Sequence, residues 1–376
     1  MPEPISGDGL NRATLQRQRL IQPLPAGSPV EAVVDAVGPL QAQYNPSPFL
    51  AVRARTVDVT PEAMHDALDE HRLVKASLYR QTLHVVSGDR YPEHAAAADA
   101  IKSRNWDTYL GRVVDPDALR RALAGFTATE RSHAELLDFI DTWMAGHLHP
   151  AAVMPETASW FMVRAWSWLI RSPATTRIDL HGRDGYIAAA SVFADLGEVD
   201  ADTAWVARVG GYLAAFGPAS LGDIQSFMGE TRVTRVRAAV AALGDELIEF
   251  TDPGGDTVYD LAAAPRPDPQ VPVPVRLLPR FDSLLLAYAP KRRERIIPPA
   301  HYDAVMQTRN AQVLASVLID GRVAGTWEAS TSRHGVEVVV TPLQRLGRAS
   351  RAEVTAEAER VADFLAGDRP WRVAVG

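Results

Sequence analysis

The chain of 376 residues contains no cysteine. Disulfides and thiolate catalysis are therefore excluded, and the usual ligands of a structural zinc are missing. No apolar run approaches the roughly 18 residues needed to cross a bilayer. The start, "MPEPISGDGLNRATLQRQRL", lacks the apolar core of a secretory signal. A soluble, cytoplasmic protein is expected. HExxH and other tight metal spacings are absent, and "HLH" at 147–149 reads as a surface turn, so neither a metal nor a cofactor is expected. Positive charge is in deficit, with 39 Lys and Arg against 46 Asp and Glu and a formal net charge of −7. That counts against nonspecific binding to a polyanion, because such affinity comes largely from basic side chains displacing counterions. The basic residues are unevenly placed, however, in "TRVTRVR" at 231–237 and "KRRER" at 291–295. Each patch alone is more often a solvated surface. What remains is ordinary globular composition, 47% hydrophobic and 23% charged, on a chain long enough for two or more domains.

Organisation is clearest over 204–261. "AWVARVGGYLAAF" reads as a helix, Ser220 caps "LGDIQSFMG" with Asp223 as a carboxylate variant of the capping box, and Thr231 opens "RVTRVRAAVAAL". Val233, Val236, Val240 and Leu243 form one apolar stripe, with Arg232 and Arg235 turned away from it. "ELIEF", "TDPGGD" and "TVYDL" then give a hairpin. Helix, helix, basic helix, hairpin is the order of a winged helix, a module that presents its third helix to a DNA major groove or serves as a protein–protein contact. Asp252, Asp256 and Asp260 make this wing acidic and count against base reading by this copy.

Two further copies are expected. Near the N-terminus, "NRATLQRQRL", "VEAVVDAVGPL" and "TPEAMHDALDE" are candidate helices, the last capped by Thr60 with Pro61 at its first position. "VKASLYR" and "TLHVVSG" are the matching wing strands. A fainter middle copy comprises "DPDALRRALAGF", "ERSHAELLDFIDTWMAG" and "ASWFMVRAWSWLIR", with "HGRDG" as its hairpin turn. The helical context of Trp160, Trp166 and Trp168 favours core packing over a stacking platform. A proline-rich linker at 262–275 leads into strands and one helix running from Ser350 to about Leu365. The expected class is α+β, mainly α: winged helices at 8–112, 113–198 and 199–264, then a β-rich domain at 265–376.

The stretch "GPLQAQYNPSP" at 38–48 sets two glutamines where the apolar series Val30, Val34, Val37 runs out. A glutamine on an inward face is costly unless its donors and acceptor are satisfied. Pro46 and Pro48 are expected to push Asn45 and Ser47 out of helical dihedrals, making the stretch extended. Gln41 and Gln43 could then face one site together. The alternative is a helix end with two solvated amides.

The stretches "LQAQYNPSPFLAVRAR", "LVKASLYRQTLHVVSGDRY", "AAFGPASLGDIQSFMG", "LLPRFDSLLLAY" and "DGRVAGTWE", in this order, carry a resemblance to the AlkZ-like DNA glycosylases of bacteria. The resemblance covers nearly the full length. It implies three tandem winged helices around a cleft, followed by a β-barrel-like domain. The family's Gln-x-Gln motif falls on Gln41, Ala42 and Gln43, which the resemblance makes catalytic; a sister branch has aspartate in the second position. The implied activity is monofunctional hydrolysis of the N-glycosidic bond of N7-alkylguanine in double-stranded DNA, extending to bulky adducts or interstrand crosslinks and, in a producing bacterium, to self-resistance against a genotoxin. A monomer is expected. His84 is a candidate for a phosphate or water contact and Asn45 for a lesion contact. Arg80, Lys291, Arg292, Arg293, Arg232 and Arg235 are candidates for DNA-backbone contacts, and Asp282 reads as structural. The competing reading is a noncatalytic winged-helix DNA-binding or regulatory protein.

Overall fold

A computed structural model describes residues 2–154, 166–179, 185–193, 196 and 199–376. The chain enters through β1 (Glu3–Pro4) and α1 (Gly7–Arg17), whose start is capped by the Ser6 hydroxyl accepting from the Gly9 amide. The first module follows as α2 (Val30–Val37), β2 (Leu40–Gln41), α3 (Pro46–Arg53), α4 (Pro61–Asp69), β3 (Leu73–Tyr79) and β4 (Thr82–Ser87). Val30, Val33, Val34 and Val37 are all buried, as a helix-period apolar stripe requires. Gly38, at φ 83, ends α2, and the next residues pair as a strand with β4, giving the sheet order β2-β4-β3.

The expected extended stretch is shorter than the prolines suggested. Asn45 has φ −54 and ψ −40, and Pro46 begins α3 with Ser47 and Pro48 inside it. A proline in the first turn of a helix lacks only an amide hydrogen that would have no intrahelical acceptor, so this turn tolerates both.

After the long helix α5 (Tyr91–Leu110), the second module comprises α6 (Pro116–Phe126), β5 (Arg131–Ser132), α7 (His133–His147), β6 (Leu169–Arg171) and β7 (Gly185–Ala188). Ser132 and Glu135 close a full capping box at α7. A helix is expected through Arg171, but Leu169–Arg171 form strand β6; Trp160 and most of the "HGRDG" turn lie outside the described residues. Trp166 is buried and stacks on Trp168 at 5.4 Å, as core packing requires.

The third module is α8 (Ala201–Phe216), α9 (Leu221–Met228), α10 (Val233–Leu243), β8 (Leu247–Thr251) and β9 (Thr257–Leu261). The Ser220–Asp223 capping box is present, whereas α10 starts after Arg232, which makes no side-chain cap bond, rather than at Thr231. One topological detail recurs. The segment between the first two helices of each module pairs with the second hairpin strand: β2 with β4, β5 with β7, and Ala219 with Tyr259.

The C-terminal part corrects the barrel-like expectation. Among the described residues, β10 (Arg276–Leu278), β13 (Ser316–Ile319), β14 (Arg322–Ser332), β15 (Gly335–Pro342) and β16 (Trp371–Val375) form an open sheet in the order β10-β13-β14-β15-β16. The short strands β11 (Met306–Gln307) and β12 (Gln312–Val313) pair only with each other, after the one-turn helix α11 (Tyr302–Val305). The long helix α12 (Arg348–Ala366) lies against β10, β15 and β16, where Val354, Ala358, Val361 and Ala362 pack with Val338 and Val340. With that apolar face already covered, closure is not needed to bury it.

These parts interlock. The largest apolar cluster joins Leu15 of α1, Tyr79 and Val86 of the first hairpin, Phe216 of α8 and Tyr288. Arg17 of α1 makes a buried ion pair with Asp260 at 2.7 Å. Asn11 donates to the carbonyls of Arg295 and Gly321. A Cβ on Gly321 would lie 2.3 Å from Leu15 Cδ1, so only glycine allows that approach.

His94 sits beside the Tyr79 hydroxyl, 3.0 Å from its Nδ1. Burial, with the charges of Arg208 and Arg90, pushes its pKa down to about 3. It is therefore neutral in the fold but charges near pH 6.5 when unfolded. Its stabilisation is complete above that pH and drains as pH falls from 6.5 towards 3, at up to about 1.4 kcal/mol per pH unit. Stability of His94→Asn is expected to decline less steeply than wild type between pH 7 and 5, as measured by urea unfolding; parallel slopes would contradict this.

Candidate active site

Gln41 is placed by strand alternation. Its neighbours Leu40 and Ala42 join the apolar cluster of Val33, Phe49 and Val85, so the Gln41 side chain points to the opposite face of the sheet. The Gln41 backbone N–H donates to Ser283 Oγ at 3.2 Å, and that hydroxyl in turn donates to the Pro39 carbonyl at 2.6 Å. Only 6% of Gln41 is exposed, and its Oε1 accepts from Arg80 Nη2 at 2.8 Å. Nη1 of the same guanidinium donates to the Phe227 carbonyl at 2.8 Å, with its carbon 4.8 Å from the Phe227 ring centroid. The third module thereby reaches the glutamine strand of the first.

Arg80 and Gln81 form the two-residue turn between β3 and β4, at φ 50 and 59. Such paired positive φ values suit the twist of a hairpin but favour Asn-Gly over two side-chain-bearing residues, at a cost of order 1 kcal/mol or more each. The turn is also approached by Gly229, where a Cβ would lie 3.0 Å from Arg80 Cα. Burial, then the charges of Arg293 and Arg208, pushes the Arg80 pKa down to about 10, so it remains a cation at neutral pH. Where the sequence suggested a DNA-backbone contact, the guanidinium is turned inward onto Gln41 and Phe227.

Gln43 is exposed at the end of the same segment. The ladder continues for one bond, Ala42 N to the Leu83 carbonyl at 2.7 Å, and then Leu83 N donates to the side-chain Oε1 of Gln43 at 2.9 Å. The two glutamines thus share one strand end, one buried and one exposed, each fixed through its carbonyl. Their orientation follows from chemistry, because Arg80 and a backbone N–H can only donate and must face oxygen. Both amide nitrogens lack a hydrogen-bond partner among the described residues.

His84 lies directly opposite Gln41 in the β2–β4 pairing, and hence on the same face. It is fully buried, with Nδ1 3.0 Å from the Thr82 carbonyl and its ring 5.1 Å from that of Tyr79. Where the sequence suggested a phosphate or water contact, His84 packs beneath Gln41. Asn45 accepts from Lys75 Nζ at 2.7 Å and donates to the Thr175 carbonyl at 3.1 Å, linking the first two modules. Lys75, 2% exposed, was not singled out by sequence reasoning; its signal was a lone lysine inside the apolar strand "LVKASLY".

The basic patches divide sharply. Arg292 is held by Asp223 at 2.9 Å, by Asp256 at 2.8 Å and by Asp252, while Asp260 is held by Arg17 and Arg266. The acidic wing is therefore neutralised within the fold, and Arg292 is spent on it rather than standing free for phosphate. Arg235 is likewise largely buried, 4.6 Å from the Trp205 ring centroid and 3.5 Å from Glu230. Arg293 donates to the Tyr288 carbonyl and the Tyr302 hydroxyl. Arg232 is half-exposed and 3.6 Å from Glu230, and Lys291 is exposed. Asp282 pairs with Arg55 through both carboxylate oxygens, at 2.8 and 2.9 Å, with both side chains fully buried. Among the described residues no three His, Asp or Glu side chains converge as a metal site, and no helix is long and apolar enough to cross a membrane.

Comparison with known proteins places this geometry in context. The family described as "DNA glycosylase AlkZ-like" matches residues 34–364. No curated protein matches the sequence. The solved structure of Streptomyces sahachiroi DNA glycosylase AlkZ is similar at a TM-score of 0.76 and 23% identity, covering 98% of this chain and 100% of that one.

Proposed function

The chain belongs to the AlkZ-like family of DNA glycosylases, and we propose that within this activity it releases N7-alkylated guanine, with Gln41 and Gln43 as its catalytic residues. It is an enzyme of DNA repair acting on DNA. The modules at 30–87, 116–188 and 201–261 are read as three winged helices arranged around the substrate.

The observation that carries the proposal is the pair of amides fixed by carbonyl anchors at the end of β2. Alkylation at N7 makes guanine a cationic leaving group, so its C1′–N9 bond loosens without an acid to protonate the base. What remains is to hold a water against C1′ and to tolerate an oxocarbenium-like sugar. Gln41 Oε1 is occupied by the Arg80 cation, which polarises the amide and strengthens its N–H donors. We assign Gln41 as donor to one lone pair of the water, leaving the other directed at C1′. The second lone pair of Gln43 Oε1 accepts a water hydrogen. As the water attacks, the C1′–N9 electrons leave with the base and neutralise its charge, and a proton passes to solvent. No carboxylate is needed for a base that arrives charged. A bulky adduct or crosslink that resists extrusion could be processed in place.

Arg80 is on this account a positioning residue. Arg80→Met is expected to slow release of N7-methylguanine from duplex DNA by about tenfold to a hundredfold, with Arg80→Lys intermediate. DNA affinity should change little in either variant. If Arg80 instead served a phosphate, the Met variant would bind more weakly at every sequence and its salt dependence would fall by about one counterion.

A further inference from the structure

The hairpin tip beside the glutamine strand carries a third glutamine. Gln81 is the second residue of the turn between β3 and β4, and Leu83, whose backbone N–H holds Gln43, follows two positions later. We propose that Gln81 touches the substrate and sets base identity, reading the 2-amino edge of the damaged guanine while Gln41 and Gln43 act at C1′ of the same nucleotide. The proposal rests on the glycosylase reading of the glutamine site and deepens it by naming a residue for base choice.

Nothing in the stability of the fold calls for a glutamine here. Gln81 sits at φ 59, in the left-handed region where a hairpin turn favours glycine or asparagine, so its Cβ is a cost to the turn. Its side chain is exposed and makes no hydrogen bond among the described residues. The backbone beneath it is nevertheless held firmly. Arg80 is anchored to Gln41 and to the Phe227 carbonyl, Thr82 Oγ1 donates to the Tyr79 carbonyl at 2.9 Å, and the third module approaches the turn at Gly229. A strained residue on a fixed backbone presents its amide in a restricted set of directions, here next to the reacting site.

The chemistry of that amide selects its partner. A primary amide offers an N–H donor and a carbonyl acceptor side by side. Guanine shows the complementary pair on its minor-groove edge, the N3 acceptor next to the 2-amino donor, and adenine lacks that donor. Alkylation at N7 leaves this edge untouched, because N7 lies in the major groove. C1′–H of the sugar faces the minor groove, so a residue adjacent to the glutamine pair meets the 2-amino edge rather than N7.

The test measures single-turnover release of N7-methylguanine and of N7-methylhypoxanthine, the same cationic ring system without the 2-amino group, from otherwise identical duplexes with cytosine opposite. Wild type is compared with Gln81→Gly and Gln81→Asn. The ratio of the guanine rate to the hypoxanthine rate is expected to fall by about tenfold in Gln81→Gly, as loss of a bidentate base contact predicts, and by less in Gln81→Asn, whose amide is one methylene shorter. Comparing ratios between proteins cancels the intrinsic difference in leaving ability. The urea midpoint of Gln81→Gly should equal or exceed that of wild type, because glycine relieves the turn. An unchanged ratio in Gln81→Gly, whether both rates persist or both fall, would overturn the reading of guanine by Gln81 and leave the glycosylase reading standing. A lowered midpoint with that unchanged ratio would mark Gln81 as structural. Release of neither base by wild type would overturn both readings.

Discussion

Duplex DNA carrying N7-methylguanine is expected to keep its base when treated with the Gln41→Ala/Gln43→Ala double variant, although the variant still binds that DNA. On the proposed mechanism each amide holds one side of the attacking water, and removing a single preorganised hydrogen-bonding group from a site of this kind costs about a hundredfold or more in rate. The pair acts on one water, so the double loss should be far smaller than the product of the single losses. Binding should survive because neither side chain carries charge to a phosphate. The fold should survive as well at Gln43, which is exposed and replaces one ladder acceptor. Gln41→Ala leaves Arg80 Nη2 without its carbonyl, and a modest loss of stability is expected there. Quantifying free base and retained complex in the same samples separates these outcomes, and full activity of the double variant would move the site elsewhere.

Asp282→Ala is expected to be the most damaging single substitution for stability, by about 3–5 kcal/mol, because it strands a buried guanidinium. Arg55 keeps only the Ala51 carbonyl and Gln18 Oε1 once the carboxylate is gone. The same carboxylate caps the turn at Ser283–Leu286 through the Leu284 amide, and Ser283 is the residue that holds the Gln41 backbone. Activity should therefore fall along with stability. The double variant Arg55→Met/Asp282→Leu replaces the pair by apolar groups and should recover most of the stability, since paired buried charges are often no better than well-packed apolar side chains. Urea unfolding of the three proteins distinguishes this from a pair that contributes nothing, for which Asp282→Ala would be neutral.

The sequence shows local features well and distant partners poorly. The stripe ending at Val37, the Ser220–Asp223 capping box and the "TDPGGD" hairpin were all legible, because each is fixed by residues a few positions apart. Gln41 and Gln43 were visible as an anomaly after an apolar helix, but their anchors were not. Arg80 lies 39 positions from Gln41, and Leu83 lies 40 from Gln43. Only the sheet order β2-β4-β3 brings them together. The partners of Arg292 were hidden for a related reason: a basic run looks free until the acidic hairpin it pairs with, 36 and 40 residues earlier, is folded against it. Pro46 and Pro48 misled locally, since the same residues that disfavour a helix interior are well suited to its first turn. The open C-terminal sheet depended on where α12 packs, which strand alternation alone does not specify.

The central claim is that a neutral pair of glutamines suffices because the departing base is already charged. It is tested most directly by incubating the wild-type protein with matched duplexes containing one N7-methylguanine or one O6-methylguanine, the same methyl group with and without the cationic ring, and measuring free base. The account predicts release of N7-methylguanine with an intact abasic strand and no release of O6-methylguanine. Comparable release of the uncharged lesion, or release of neither, would contradict it.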